Sequence, residues 1–320
     1  MLRDNRTMRI VFMGTPQFAV PSLQALIDHR EFGEVAGVVT QPDARAGRGS
    51  ALMPSPIKQL ALHHGLPVLQ PASLKPPDAV AQLAELKPDV IVVAAFGQIL
   101  RTSALELPRL GCINVHASLL PRWRGASPIS ASIAAGDTET GVTIMKMDVG
   151  LDSGPLLARA SEAIHADDTT GTLTVRLAGL GARALMDTLA AYARGDIAPQ
   201  AQDAALVTTC RTLKKEDGRL DFARSAIELE RHARAMQPWP GAFAQWQGRL
   251  LKVNAAQVST ETSDGVPGTV ISIGKQVGVV CAAGSVLELV TVQPAGRKAM
   301  PAADFARGAH GFLGARAGLG

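Results

Sequence analysis

"MRIVFMGTPQFAVPSLQALIDHREFGEVAGVVT", residues 8–40, decides the fold. It opens on a short apolar run, "MRIVFM", and breaks at Gly14, Thr15 and Pro16. It continues through "PSLQALIDH" with helical spacing and returns to a β-branched run, "VAGVVT". A strand, a helix and a second strand in that order form a crossover unit, whose two strands lie parallel. The pattern recurs downstream as a helix through "SPIKQLALHH" and then the runs "DVIVVAAF" and "GCINVH". Short β-branched runs alternating with helices are satisfied by an α/β architecture with a doubly wound, mostly parallel sheet of Rossmann-like type. The stretch from Thr169 to Arg194, opened by Asp168 or Thr169 as cap and closed by Gly195, is expected as the final helix on that sheet.

The pattern then changes character. "GDIAPQAQDAALVTT" has little periodicity and reads as a linker, so the expected division is a first domain over 1–197, a linker over 198–212 and a C-terminal domain over 213–320. "SAIELERHARAM" starts with a capping box, Ser225 followed by Glu228, and makes one helix that stops before Pro238. The remaining runs, "GAFAQWQGRLLKVNAAQV", "GTVISIG" and "KQVGVVCAAGSVLELVTVQP", are β-rich and punctuated by glycine. They predict a small antiparallel β-barrel, OB-like in size and composition, a shape that nucleic-acid-binding modules often take.

Composition narrows the function. The chain has 320 residues, 47% of them hydrophobic, enough for a core in each of two domains. Cys112, Cys210 and Cys281 are far apart and lack metal-ligand or disulfide spacing, which points to a reducing, cytoplasmic setting without structural zinc. The apolar part of the first 16 residues is too short for a signal or membrane segment. The net charge of +4 is unevenly placed: residues 213–320 hold 13 Lys and Arg against 9 Asp and Glu, while residues 1–212 hold 19 of each. A basic surplus confined to one domain fits a polyanionic partner or a solvated surface.

The chemistry concentrates in "GCINVHASLLPRWRGASP", residues 111–128. In an extended chain Ile113 and Val115 face one side while Asn114 and His116 face the other. The turn residues that follow place this polar pair near the strand's C-terminal end, where open α/β sheets hold ligands. A second polar cluster, "MKMDVGLDSGP", carries Asp148 and Asp152 among glycines after the apolar run "GVTIM". Each Asp alone reads equally as a turn-former bonding its own backbone. With His116 the reading sharpens, because an Asn, a His and an Asp converging on one cleft stabilise an oxyanion without a covalent nucleophile. The first turn, "GTPQFA", lacks the G-x-G-x-x-G pattern, which removes the main support for a dinucleotide-dependent dehydrogenase. His29, His63, His64, His165, His232 and His310 show no metal-site spacing. Trp123, between Arg122 and Arg124, is either a cover for the cleft's mouth or a packing aromatic.

"INVHASLLPRWRGASPI" together with "GVTIMKMDVGLDSGP" resembles the active-site signature of the folate-dependent formyltransferases. The likeness to the branch of that family acting on methionyl-tRNA runs through most of the chain. It includes "TQPDARAGRG" with "LMPSP" (40–56), "LKKEDGRLDF" (213–222), "PWP" (238–240) and "VQPAGRKAM" (292–300). The resemblance implies formyl transfer from 10-formyltetrahydrofolate to the α-amine of methionine on initiator methionyl-tRNA, for translation initiation, with no metal. It implies Asn114, His116 and Asp152 as the catalytic set. It places Phe96, Gly97, Ile99, Ser118, Leu119, Leu120, Pro121 and Asp148 on the folate side. It makes the segment 41–56, otherwise read as a long loop, an insertion against the acceptor stem through Arg48 and Arg45, with Lys214 and Lys215 as further RNA contacts. The family's usual "PDRPAGRG" is "PDARAGRG" here, which moves one arginine by a place, and a commonly basic linker position is Thr212.

Enzymes that formylate glycinamide ribonucleotide share the Asn/His motif, but they resemble this chain only over the first domain and typically carry a further His where it has "IMKMD". Those acting on amino sugars typically lack the "GLDSG" form. A non-catalytic RNA-binding protein would have no need for an intact Asn114, His116 and Asp152. A monomer is the default expectation.

Overall fold

The computed structural model describes residues 7–46 and 51–318. Its larger sheet has seven strands in the order Leu156–Ala163, Glu139–Lys146, Cys112–His116, Val90–Ala94, Arg9–Gly14, Glu34–Val39, Val68–Leu69. The first strand lies parallel to both of its neighbours, and the strand Val90–Ala94 continues the parallel run to Cys112–His116. Only beyond that does the direction reverse, where Cys112–His116 pairs antiparallel with Glu139–Lys146. The expected doubly wound, mostly parallel sheet is therefore present. Its central strands are buried from end to end, as β-branched runs covered on both faces must be.

The helices begin and end where their local chemistry dictates. Helix Pro56–His63 starts at Ser55, whose hydroxyl accepts from the Lys58 amide. Helix Thr170–Arg194 is preceded by Asp168, which accepts from the His165 amide and the Thr172 hydroxyl, and it ends at Gly195 with φ +83°. Helix Ala226–Ala235 carries the predicted capping box, with the Ser225 amide and hydroxyl both donating to Glu228.

At the first turn, a side chain on Gly14 would put its Cβ 2.8 Å from Ala19 Cβ and 2.9 Å from the Ala94 carbonyl oxygen. Strand and helix can only approach this closely at a glycine. Three hydrogen bonds tie this turn to the ends of the two neighbouring strands. Thr15 Oγ1 and Gln41 Nε2 both donate to the Phe96 carbonyl, and the Gln41 amide donates to Thr15 Oγ1.

Contacts divide the chain into two compact units, one from the described residues of Met1–Gly125, Thr140–Ala163 and Thr174–Thr209, the other from those of Ala126–Glu139, Ile164–Leu173 and Cys210–Gly320. In the second unit helix Pro128–Ala135 packs on helix Ala226–Ala235. Its sheet is antiparallel, in the order Ala242–Trp246, Arg249–Thr262, Ser285–Pro294, Gln276–Val280, Val270–Ile273, with Met300–Pro301 paired to Ser285–Pro294. Trp246, Phe305 and Phe312 meet edge to face beside its core.

The expected OB-like barrel is corrected here, because the sheet does not close on itself. Its two outer strands do not pair with each other, and irregular chain takes their open edges instead. Leu220 donates to the Phe243 carbonyl on one side, Gly314 to the Val270 carbonyl on the other, and the same C-terminal stretch returns Gly318 to the Gln245 carbonyl. Edge groups are satisfied this way without strand closure.

Candidate active site

The strand Cys112–His116 separates its side chains by parity. Val115 faces helix Thr170–Arg194, which comes close at Gly181, while Asn114 and His116 point to the opposite face. Both are almost fully enclosed, 8% and 6% exposed, and buried polar groups at that depth need partners.

Those partners come from two loops. His116 Nε2 lies 3.0 Å from the Trp123 carbonyl oxygen. A carbonyl only accepts, so Nε2 carries a proton and donates it there. His116 Nδ1 is left facing Asp152, 3.6 Å from Oδ1. The same Oδ1 lies 3.4 Å from Asn114 Nδ2, and Asp152 Oδ2 accepts from the Gly125 amide at 2.8 Å. Asn114, His116 and Asp152 thus converge on one point; strand alternation predicts the shared face of the first two, and the family resemblance implies the third. The ring is oriented by the Trp123 carbonyl, and Asp152 occupies the side that opens to the cleft.

Asp152 gets there on a tightly drawn loop. Lys146 donates to the Pro155 carbonyl, pinning the two ends together, and Asp152 itself sits at φ +48°. A Cβ on Gly154 would lie 1.9 Å from the Lys146 carbonyl oxygen, so this crossing excludes any side chain. Asp148 closes the loop's outer turn by accepting from the Gly150 amide and the Ser153 hydroxyl.

A pocket of about 170 Å³ opens against this loop. Ile99, Leu100, Met145, Met147, Val149 and Leu151 form its apolar walls, and Gln98, Asp148 and Asp152 add polar groups. Ile99, Val149 and Leu151 are 77%, 72% and 63% exposed. Three aliphatic side chains left in water around one opening mark a surface made to be covered.

Residues 8–189 match the family model described as formyl transferase, and residues 212–310 match the formyl transferase C-terminal domain. The chain belongs to the formyl transferase family. Solved structures of the same fold include WlaRD, a sugar 3N-formyl transferase determined with dTDP and 5-N-formyl-THF. It is 16% identical, with a TM-score of 0.66 over 92% of this chain and 100% of that one. The N-formyltransferase of Helicobacter canadensis, in complex with folinic acid and dTDP-3-aminofucose, is 14% identical, with a TM-score of 0.64 over 90% of this chain and 99% of that one. HypX from Aquifex aeolicus, in complex with tetrahydrofolic acid, is 17% identical with a TM-score of 0.59. The match covers 94% of this chain and 47% of HypX.

Within this formyltransferase chain the residues expected on the folate side fall into two groups. Ile99 and Asp148 line the pocket, and Gly97 is exposed on the same connection at φ +83°. Phe96 instead turns its ring into the sheet's core, among Met13, Val93 and Leu100. Ser118, Leu119, Leu120 and Pro121 are not among the pocket's lining residues. Ser118 donates to the Arg122 carbonyl, Leu120 joins Met145 and Leu156 in a small buried cluster, and Leu119 packs toward Gly141. Pro121 is buried, and its carbonyl accepts from the Thr208 amide. Trp123 carries the Arg122 guanidinium 4.4 Å above its ring.

Among the basic residues, Lys214 and Lys215 are exposed, whereas the neighbouring Arg211 is spent on both carboxylate oxygens of Asp217. Arg45 lies on a strand, Ala44–Ala46, paired with Ala51–Met53, so the segment expected as an irregular loop is built on a short hairpin. Lys58 and Gln70 hold the hairpin's base through Asp43. Arg48 lies outside the described residues.

Two contributors escaped the sequence reading, Gln202 and Thr208. Gln202 Nε2 donates to the Asp152 and Gly154 carbonyls, both at 2.8 Å, and its Oε1 accepts from Arg124 Nε and Nη2. Thr208 Oγ1 accepts from the Trp123 amide at 2.8 Å. Nothing local in the low-periodicity segment signals these contacts. The pocket walls Met145 and Met147 were legible in principle, from the alternation of "IMKMD" at a strand end.

Proposed function

We propose that this chain transfers the formyl group of 10-formyltetrahydrofolate to the α-amino group of methionine esterified to initiator tRNA, preparing that residue for translation initiation. The observation that carries the chemistry is the convergence of Asn114 Nδ2 and His116 Nδ1 on Asp152 Oδ1, beside a pocket that Asp152 itself lines. An aliphatic and thioether wall with polar groups set along it suits a flat heteroaromatic ring with hydrogen-bonding edges, as a pterin has. The folate compounds in the WlaRD, Helicobacter canadensis and HypX structures support the same donor class.

Each side chain has a task that follows from its geometry. Because His116 Nε2 is committed to the Trp123 carbonyl, the ring offers a donor to the cleft only when Nδ1 is also protonated. Asp152 Oδ1 faces that nitrogen at 3.6 Å. Asn114 and the imidazolium then donate to the formyl oxygen as it gains negative charge. An unperturbed α-amine has a pKa of about 7.7 to 8, so near pH 7 enough of it is neutral to attack. Asp152 receives the proton the amine sheds; as the tetrahedral intermediate collapses, the bond between the formyl carbon and N10 of the folate breaks and that proton passes to N10, so tetrahydrofolate leaves and no covalent enzyme intermediate is needed.

The tRNA acceptor rests on the sequence likeness through "GLDSG", "LKKEDGRLDF" and "VQPAGRKAM", and on the basic surplus of residues 213–320. Lys214, Lys215, Arg45 and Arg48 are the proposed phosphate contacts. A second acceptor class, an amino-sugar nucleotide, is favoured by one observation: the sugar enzyme WlaRD matches along 92% of this chain, both parts included.

The deciding experiment supplies labelled 10-formyltetrahydrofolate with charged initiator tRNA, uncharged tRNA, a dTDP-amino sugar and glycinamide ribonucleotide. Label appearing on methionyl-tRNA alone is the expected result. Label on the sugar nucleotide instead would keep the catalytic set and overturn the acceptor.

A further inference from the structure

The two groups that face the nitrogens of His116 are held by the same short segment, the one that joins the two family-model matches. On the Nε2 side the partner is the Trp123 carbonyl, and the Trp123 amide is fixed by Thr208 Oγ1. Trp123 is a non-glycine residue at φ +61°, a conformation that persists only where its surroundings impose it. On the Nδ1 side the partner is Asp152, also at positive φ, whose carbonyl is gripped by Gln202 Nε2. Gln202 in turn has a fixed orientation, because the Arg124 guanidinium donates twice to its Oε1 and a guanidinium has no acceptor to offer its Nε2. Arg124 and Gly125, the residue that donates to Asp152 Oδ2, are neighbours on one short strand that pairs with Thr209–Cys210. Hydrogen bonds made by Gln202 and Thr208 therefore end on both of the strained loops that face the imidazole.

We propose that Gln202 and Thr208 are positioning residues of the formyl-transfer site, and that together they set which nitrogen of His116 carries the proton and how Asp152 meets the other. Neither is among the residues that line the pocket. Gln202 acts as a two-carbonyl clamp whose donor group is essential, and Thr208 acts as the stop that aims the Trp123 carbonyl. The proposal rests on the catalytic reading of Asn114, His116 and Asp152 given above.

The test uses the full-length protein carrying Gln202→Ala, Gln202→Glu or Thr208→Val, with Gln200→Ala as a control whose exposed side chain makes none of these contacts. Gln202→Glu still satisfies Arg124 but sets a carboxylate against the Asp152 and Gly154 carbonyls, so it should behave like Gln202→Ala or worse. A displacement of about 1 Å at the reacting groups costs about 100-fold in turnover. The expected result is a drop of that size in kcat for the Gln202 variants, an unchanged KM for the formyl donor, and wild-type kinetics for Gln200→Ala. Recorded at a pH high enough to neutralise the ring, the nitrogen-15 spectrum of His116 should show a single Nε2-protonated tautomer in the wild-type protein and a mixture in Thr208→Val. A kcat within twofold of wild type, or a loss expressed in donor KM alone, would overturn the clamp. An unchanged tautomer in Thr208→Val would overturn the aiming role. Should the wild-type protein transfer formyl to none of the amines offered, the functional reading fails, and the spectrum of His116 in Gln202→Ala and Thr208→Val still decides the positioning claim.

Discussion

His116 Nδ1 faces Asp152 Oδ1 across 3.6 Å while the ring's other nitrogen is spent on a backbone carbonyl. This relationship makes the pair a unit: the ring nitrogen that is not bonded to the backbone faces a carboxylate oxygen that Asn114 also reaches.

Units of this kind are non-additive when dissected. Asp152→Asn and His116→Ala should each lower kcat by about 100- to 1,000-fold. The double variant should be lower than the worse single variant by only a few-fold. Steady-state kinetics on the accepted amine read this directly, and multiplicative losses would show that the two residues act independently.

Gly154→Ala should abolish activity with the fold retained. Its methyl group would fall 1.9 Å from the Lys146 carbonyl oxygen, so the loop bearing Asp152 must move. Overpacking of this kind typically costs about 1 to 3 kcal/mol. A lowered Tm with native circular dichroism and no turnover is the expected combination, and normal turnover would show that the crossing can relax.

The thiols should react in a fixed order. Burial pushes Cys112 up to about 12 and Cys281 up to about 11, so at pH 8 almost none of either is thiolate. Cys210 is only partly buried. Alkylation of the native protein followed by mass spectrometry should label Cys210 first, with Cys112 and Cys281 reacting only as the protein unfolds.

The capping box predicts a particular acid limb. Hydrogen bonds from the Ser225 hydroxyl and amide hold the Glu228 carboxyl down at about 2, against an ordinary value of 4.5. A depressed carboxyl stabilises the fold fully above its unfolded value and loses that contribution as pH falls toward the folded one. Ser225→Ala should therefore lower Tm at pH 7, and the difference from wild type should shrink between about pH 4.5 and 2. His232, pushed down by burial, removes stability separately and at higher pH, from its ordinary value of 6.5 downward, because the unfolded chain protonates it more readily. A Tm difference that stays constant across this range would exclude the carboxylate's part in the cap.

The crossover pattern of residues 8–40, the apolar runs "DVIVVAAF" and "GCINVH", and the capping signals at Ser55, Asp168 and Ser225 are local properties. Side-chain periodicity and short-range hydrogen bonding act within a few residues, so strands, helices and their ends could be read from the chain alone. The parity of Asn114 and His116 belongs to the same class, since alternation along a strand decides it.

The open C-terminal sheet and the clamp on the active site belong to the other class. Whether two edge strands pair depends on where the chain's last residues return, and Gly314–Gly318 take the edges that closure would have used. Gln202 reaches Asp152 across 50 positions, and Thr208 reaches Trp123 across 85. No period or spacing records such contacts, because they exist only once the sheet has brought distant loops to the end of one strand.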